Sequence, residues 1–290
     1  MSGRTARRLV QRMRLPGPGT TGAATSERAD LLAAEEPLGI RVNGQAVTLT
    51  MRTPGDDIDL AAGFLFSEGI VRDPDDLAEI TICDGTGCGH AGHEGIGNIA
   101  DVTLRQLGQT GLPRRNFLTT SACGVCGKAS AAELFVQKIW NLNEDHTAIP
   151  AARIASMPDA LRDAQRVFAS TGGLHAAGVF GPSGELLCVR EDVGRHNAVD
   201  KVVGWALRSG RLPMRGCVLL VSGRASFELV SKAVLAGFPV LAAVSAPSSL
   251  AADLAEQSGM TLVGFVRGRS MNVYTGRQRV LGGEESPVAR

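Results

Sequence analysis

The 290-residue chain carries 30 Lys and Arg against 29 Asp and Glu. It is long enough for one large domain or two unequal ones, and its charge balance points away from a polyanion such as nucleic acid. Six cysteines are too few for a disulfide scaffold, and no stretch approaches the roughly 18 uninterrupted apolar residues of a membrane span.

The chain opens on a basic run, with Arg4, Arg7, Arg8, Arg12 and Arg14 all ahead of the first acidic residue, Glu27. That run lacks the apolar centre of a secretory signal, so a cytosolic protein with reduced thiols is expected. "RRLVQRMR" reads as a first strand or a frayed tail, and residues 15–30, rich in Gly, Pro and Thr, read as a loop. "PLGIRVNGQAVTLTMRTP" gives two short runs around Asn43-Gly44, a strong hairpin signal. Asp56 and Asp57 are placed to cap a helix over "IDLAAGFLFSEGI". Residues 83–98 form a glycine-laden loop, and "IADVTLRQL" reads as a strand.

Next comes "SACGVCGKASAAELFVQKIWNLNE", a glycine-flanked Cys-x-x-Cys turn ahead of a helical pattern. A further helix is expected in "PDALRDAQRVFAST", with Pro158 at its start. "HAAGVFGPSGELLCVRED" gives two strands around a turn, and "GRHNAVDKVVGWALRSG" a helix ending at Gly210. The last third alternates apolar strands with helices, from "GCVLLVSG" to "MTLVGFVRG". Near-continuous apolar strands between helices imply a parallel α/β sheet.

Ligands of such a sheet lie beyond the carboxyl ends of its strands. Those ends carry "SGRASFE", "SAPSS" and "RGRSMN" (residues 222–228, 245–249 and 267–272). The first two precede helix N-termini, whose free N–H groups suit phosphate, and Arg224, Arg267 and Arg269 add forked donors. Serines also cap helices, so one such segment alone reads as structural; three on one edge suggest a phosphorylated, nucleotide-like ligand. "REDVGRHNAVDK" brings Asp192, Arg195, His196, Asn197, Asp200 and Lys201 into one helix start. It fits either a capped surface helix with local ion pairs or part of a site. His175, a lone histidine entering a strand, reads as structural. Cys188 and Cys217 sit in apolar runs and read as inert core residues.

Four readings stay open for Cys123 and Cys126. A redox pair and a persulfide-carrying nucleophile both exploit the helix N-terminus, which lowers a thiol pKa. A zinc site could combine the pair with Cys83, Cys88, His90 and His93. The fourth reading is a turn with two incidental thiols.

Taken together, "EEPLGIRVNG", "TPGDDIDLAAGFLFSEGI", "SACGVCGKAS", "TGGLHAAG", "EDVGRHNAVDK", "VSGRASFELVSKA" and "GFVRGRSMNVYT" resemble, in order, the FdhD family. Its members are sulfurtransferase accessory factors for formate dehydrogenase. The resemblance implies that sulfur passes from a cysteine desulfurase to the molybdenum cofactor, a bis-molybdopterin guanine dinucleotide bound as substrate, with no permanent cofactor. It puts the persulfide on Cys123 and makes Cys126 the assisting thiol. It also places the cofactor contact on Phe265, Val266, Arg267, Gly268, Arg269 and Ser270. The strand-end and helix-start residues Ser222, Gly223, Arg224, Arg195 and His196 join that expected site. The implied fold is a cytidine deaminase-like three-layer α/β domain with a mostly parallel C-terminal sheet (residues 116–290). A smaller N-terminal α+β region precedes it (residues 1–115), and the protein is expected to be a cytoplasmic homodimer. Deaminase chemistry itself is not expected, because "LHAAG" lacks the glutamate of H-x-E and "ACGVC" lacks the proline of P-C-x-x-C. The alternatives are a zinc-containing nucleotide-binding protein and a dithiol oxidoreductase.

Overall fold

The structure, a computed structural model, describes residues 3–17, 22–83, 98–105, 118–119 and 140–282. Strands β1 (Thr5–Arg14) and β2 (Ala24–Ala33) pair antiparallel as a separate two-stranded ribbon. The loop expected over residues 15–30 therefore gives way to strand at Ala24, because β1 supplies a pairing partner that local composition does not show.

β3 (Glu36–Val42) and β4 (Gln45–Arg52) form the expected hairpin. Asn43 and Gly44 both take positive φ (48° and 79°), which a two-residue turn matching strand twist requires. Along β3, Leu38, Ile40 and Val42 point alternately into the core and are fully buried. β5 (Leu77–Cys83), β6 (Ile99–Leu104) and β7 (Leu118–Thr119) complete a five-stranded sheet, in the order β5-β6-β3-β4-β7.

Helix α1 (Asp57–Ser67) begins where expected, but Asp56 makes no capping bond and sits in the left-handed region at φ 57°. Its carboxylate is drawn off by Arg4 at 2.7 Å and Arg190 at 3.6 Å. The short strand β8 (Ile149–Pro150) leads directly into α2 (Ala151–Ala164), which starts earlier than expected, so Pro158 lies inside it. The pattern breaks at Gln165 before α3 (Arg166–Thr171).

β9 (His175–Phe180), β10 (Leu186–Asp192), β11 (Val218–Val221), β12 (Val240–Ala243), β13 (Thr261–Arg267) and β14 (Ser270–Thr275) build a six-stranded sheet. Its order is β10-β9-β11-β12-β13-β14. β11, β12 and β13 run parallel, joined through α5 (Phe227–Leu235) and α6 (Ser249–Ser258), while the flanking strands are antiparallel. Residues 267–272, marked in the sequence as a strand end, turn tightly into β14.

Alternation along these strands creates two apolar faces and hence three layers. Leu219, Val221, Leu241 and Ala243 face a core shared with α4 (Arg195–Arg208), α5 and α6. Val218, Leu220, Val240 and Ala242 face α2, through Ile154, Met157 and Leu161. The first core runs on into the N-terminal sheet through Leu38, Leu60 and Val102. α1 and α4 form that join, meeting where Gly63 faces Gly204.

Candidate functional site

The strand ends marked in the sequence share one edge of the six-stranded sheet. Parallel β11, β12 and β13 send their carboxyl ends there, and the antiparallel pair β9–β10 delivers His175 opposite Asp192. Two backbone bonds knit the edge together. Ser245 N–H donates to Gly223 O at 3.3 Å, and Phe265 N–H donates to Ser245 O at 3.2 Å.

After β11, Ser222 locks onto β9: its Oγ accepts from Ala176 N–H and its own N–H donates to Ala176 O, each at 2.9 Å. Gly223 lies against the His175 imidazole, since a Cβ there would sit 3.4 Å from Nδ1. Arg224 is exposed. Ser226 stands at the N-terminus of α5, yet its Oγ caps nothing and is buried without a partner among the described residues.

The end of β13 is bent. Phe265 is a non-glycine residue at φ 52°, a conformation costing about 1–3 kcal/mol and held only where the surroundings impose it. Gly264 makes the bend sterically feasible, because a Cβ there would meet Pro247 at 2.9 Å and Tyr274 at 3.0 Å. Val266 turns into the core. The Arg267 Nε–H donates to Val244 O at 3.0 Å, and its guanidinium lies 5.8 Å over the Phe265 ring. Gly268 takes φ 55° in the turn, and Arg269 and Ser270 are exposed on it.

The polar helix start "EDVGRHNAVDK" turns out to be largely interior. Asp192 is fully buried, accepts three hydrogen bonds and forms one ion pair. The hydrogen bonds come from Thr53 N–H at 3.1 Å, Gly194 N–H at 2.8 Å and the Asn197 side-chain amide at 3.0 Å, and the ion pair is with Lys201 Nζ at 2.8 Å. Lys201, also buried, donates further to Thr53 O and Glu191 O. This clamp fixes the first turn of α4, and with it Arg195 and His196, against the chain leaving β4. Burial of Asp192, Asn197, Asp200 and Lys201 removes the surface-helix reading.

Arg195 Nε is buried and lacks a partner among the described residues. His196 Nε2 lies 2.6 Å from Glu228 Oε2, close enough to share charge though not aligned as a straight hydrogen bond. Burial pushes the Glu228 carboxyl up. The close contact and charge of His196, with Lys232 and Arg195, outweigh it and hold the group below the usual glutamate range. His175 moves down, chiefly through burial, then through the positive charges of Arg195 and His196.

His175 was expected to be structural, and the structure places it at the centre of this edge. The sequence hid it because Arg195, His196 and Gly223 are distant along the chain. Its lowered pKa means the unfolded chain takes up the proton first, so folded stability is present above 6.5 and falls as pH drops below that value. The Glu228 contribution is lost only at lower pH, below its ordinary 4.5. Urea unfolding between neutral pH and the glutamate range should therefore lose less stability in His175→Gln than in the wild type. Equal slopes would contradict this.

Cys188 and Cys217 are the inert core thiols expected, pushed by burial up to about 12 and about 11. Cys123 and Cys126 lie outside the described residues, as do Cys88, His90 and His93. Cys83, closing β5, is disulfide-bonded. The described chain does reach the approach to the cysteine pair: Thr119 on β7 pairs with Thr50 on β4. Thr50 Oγ donates to Asn197 Oδ1 at 3.4 Å, beside His196.

Comparison with known proteins follows the same lines. A chain of 55% identity over 278 residues, covering 95% of this protein and 98% of its own length, is the sulfur carrier protein FdhD of Mycolicibacterium paratuberculosis. Another, 54% identical over 281 residues with 95% of each chain covered, is the sulfur carrier protein FdhD of Streptomyces avermitilis. The crystal structure of a candidate formate dehydrogenase accessory protein from Desulfotalea psychrophila superposes with a TM-score of 0.71 at 25% identity. That match covers 95% of this chain and 99% of that one. With residues 33–281 matching the family model as well, the chain belongs to the FdhD/NarQ family.

Proposed function

We propose that the protein is a cytoplasmic sulfur carrier for formate dehydrogenase maturation. Cys123 takes sulfur from a cysteine desulfurase and presents it to the bis-molybdopterin guanine dinucleotide form of the molybdenum cofactor, held as substrate at the sheet edge. The Cys123 thiolate attacks the terminal sulfur of the donor persulfide. The donor's S–S bond breaks, its thiolate leaves, and a persulfide remains on Cys123. Cys126 assists.

One observation carries this reading: His175, Arg195, His196, Ser226 and residues 265–270 converge on one edge, where the buried Arg195 Nε and Ser226 Oγ have no partner among the described residues. Buried polar atoms are rarely left unmet, and a phosphorylated ligand would meet both, with Arg224, Arg267 and Arg269 at the rim. The parallel pairing of Thr119 with Thr50 supports delivery to this edge. Four residues of extended chain span about 14 Å, which bounds how far the Cys123 Cα lies from that of Thr119. A homodimer would offer two such edges for the two nucleotide arms.

After incubation with a cysteine desulfurase and cysteine, intact mass should rise by one sulfur atom in the wild type and not in Cys123→Ala. An unmodified wild type would overturn the assignment. A Cys123–Cys126 redox couple without an adduct would move it to a dithiol oxidoreductase.

A further inference from the structure

We propose that the β1–β2 ribbon is a docking edge for an extended segment of a protein partner in which apolar and acidic residues alternate. The proposal is independent of the sulfur chemistry. Residues directly opposite in an antiparallel pair share a face, and the register sorts this ribbon into two unlike faces. One face carries Leu9, Met13, Leu31 and Ala29, with Arg7, Gln11, Thr25 and Glu27 between them; Leu9, Met13 and Leu31 are 71%, 64% and 37% exposed. The other is the more basic, carrying Arg8, Arg12, Arg14 and Arg28 together with Val10, Asp30 and Leu32. Arg28 pairs only locally, with Asp30 at 3.2 Å, and Arg8, Arg12 and Arg14 have no ion pair among the described residues. Residues 3–33 hold six arginines against Glu27 and Asp30, in a chain whose overall net charge is +1. The positive charge is concentrated on an element that adds little to the core.

Among the described residues β1 and β2 pair only with each other, which leaves both long edges of the ribbon open there. An open edge is a template for a further strand, and the two faces dictate its composition. A lipid surface would cover the apolar face and leave the arginines pointing away from it. Nucleic acid would cover the arginines and leave Leu9, Met13 and Leu31 in water. A second copy of β1 added at the edge would set arginine beside arginine. An added strand directs successive side chains to opposite faces. Apolar–acidic alternation therefore meets Leu9 and Met13 on one side and Arg8 and Arg12 on the other, while the backbone pairs with the edge.

The test uses the full-length protein and a fluorescein-labelled decapeptide alternating valine and glutamate, followed by anisotropy. Saturable binding is expected, at least tenfold weaker in Arg8→Glu/Arg12→Glu and in Leu9→Asp/Met13→Asp. Unchanged melting temperatures should show that these exposed substitutions leave the body folded. Two further probes should also bind at least tenfold more weakly: a peptide of the same composition with its glutamates in one block, and the alternating peptide N-methylated at every second amide. Equal binding of either probe, no saturable binding of the alternating peptide, or tighter arm-dependent binding of phosphatidylserine vesicles or a DNA oligonucleotide would overturn the proposal.

Discussion

Lys201→Met is expected to cost about 3–5 kcal/mol, the range for breaking one side of a buried ion pair, and to lower Tm by roughly 10 °C in a chain of this size. Lys201 and Asp192 are 1% and 0% exposed, so neither solvent nor salt compensates for a lost partner. The substitution strands the Asp192 carboxylate in the core and leaves the carbonyls of Thr53 and Glu191 short of a donor. Adding Asp192→Asn should recover part of the loss. It removes the stranded charge, while the amide oxygen still accepts from Gly194 N–H. A thermal melt of Lys201→Met within 1 kcal/mol of the wild type would contradict the clamp. The clamp also matters for the site, because it seats Arg195 and His196 against the chain leaving β4.

The second large effect is expected at the α1–α4 crossing. A Cβ built on Gly63 lies 1.8 Å from Asp200 O, and one on Gly204 lies 1.8 Å from Asp59 O. Both obstacles are backbone, so a side chain cannot swing aside and the helices must separate. Separation stretches the contacts bridging them, Arg208 to Asp59 at 2.6 Å and Ser67 to Asp200 at 2.8 Å. Gly63→Ala should therefore exceed the usual overpacking cost of about 1–3 kcal/mol. Gly63→Ala/Gly204→Ala should cost less than the sum of the singles, because both strain one crossing. Gly69→Ala is the control: it has φ 72° and open space around its Cβ position, and should cost only about 1 kcal/mol for the left-handed backbone. Equal melting temperatures for Gly63→Ala and Gly69→Ala would remove the crossing from the account of stability.

What the sequence reveals tracks how local each cause is. Asn43-Gly44 marks the β3–β4 turn by itself, and the apolar runs of β11, β12 and β13 need no partner to be read. β2 does need one, since "ATSERADLLA" becomes a strand only beside β1. β14 is polar on alternate positions because it lies at a sheet edge, and so it does not read as a strand. Pro158 looked like a helix start because the turn of α2 before it carries little pattern.

The site divides the same way. The serine-rich and arginine-rich strand ends were legible, because a parallel sheet sends all its carboxyl ends to one side. The partners of His175 and the burial of Asp192 and Lys201 were not, because both depend on the N-terminal chain at Thr53 and on strand β9 folding against α4. The Gly63–Gly204 contact was equally hidden, since neither "DLAAGFLF" nor "VVGWAL" names its opposite helix.

The most direct test couples the sulfur to the sheet edge. Wild-type protein carrying one added sulfur on Cys123 is mixed with the guanine-dinucleotide molybdenum cofactor and followed by intact mass. The sulfur should be lost from the wild type. Arg224→Ala/Arg267→Ala/Arg269→Ala should load normally and retain it at the same cofactor concentration. Release at equal rates from both proteins would contradict the placing of the cofactor at this edge.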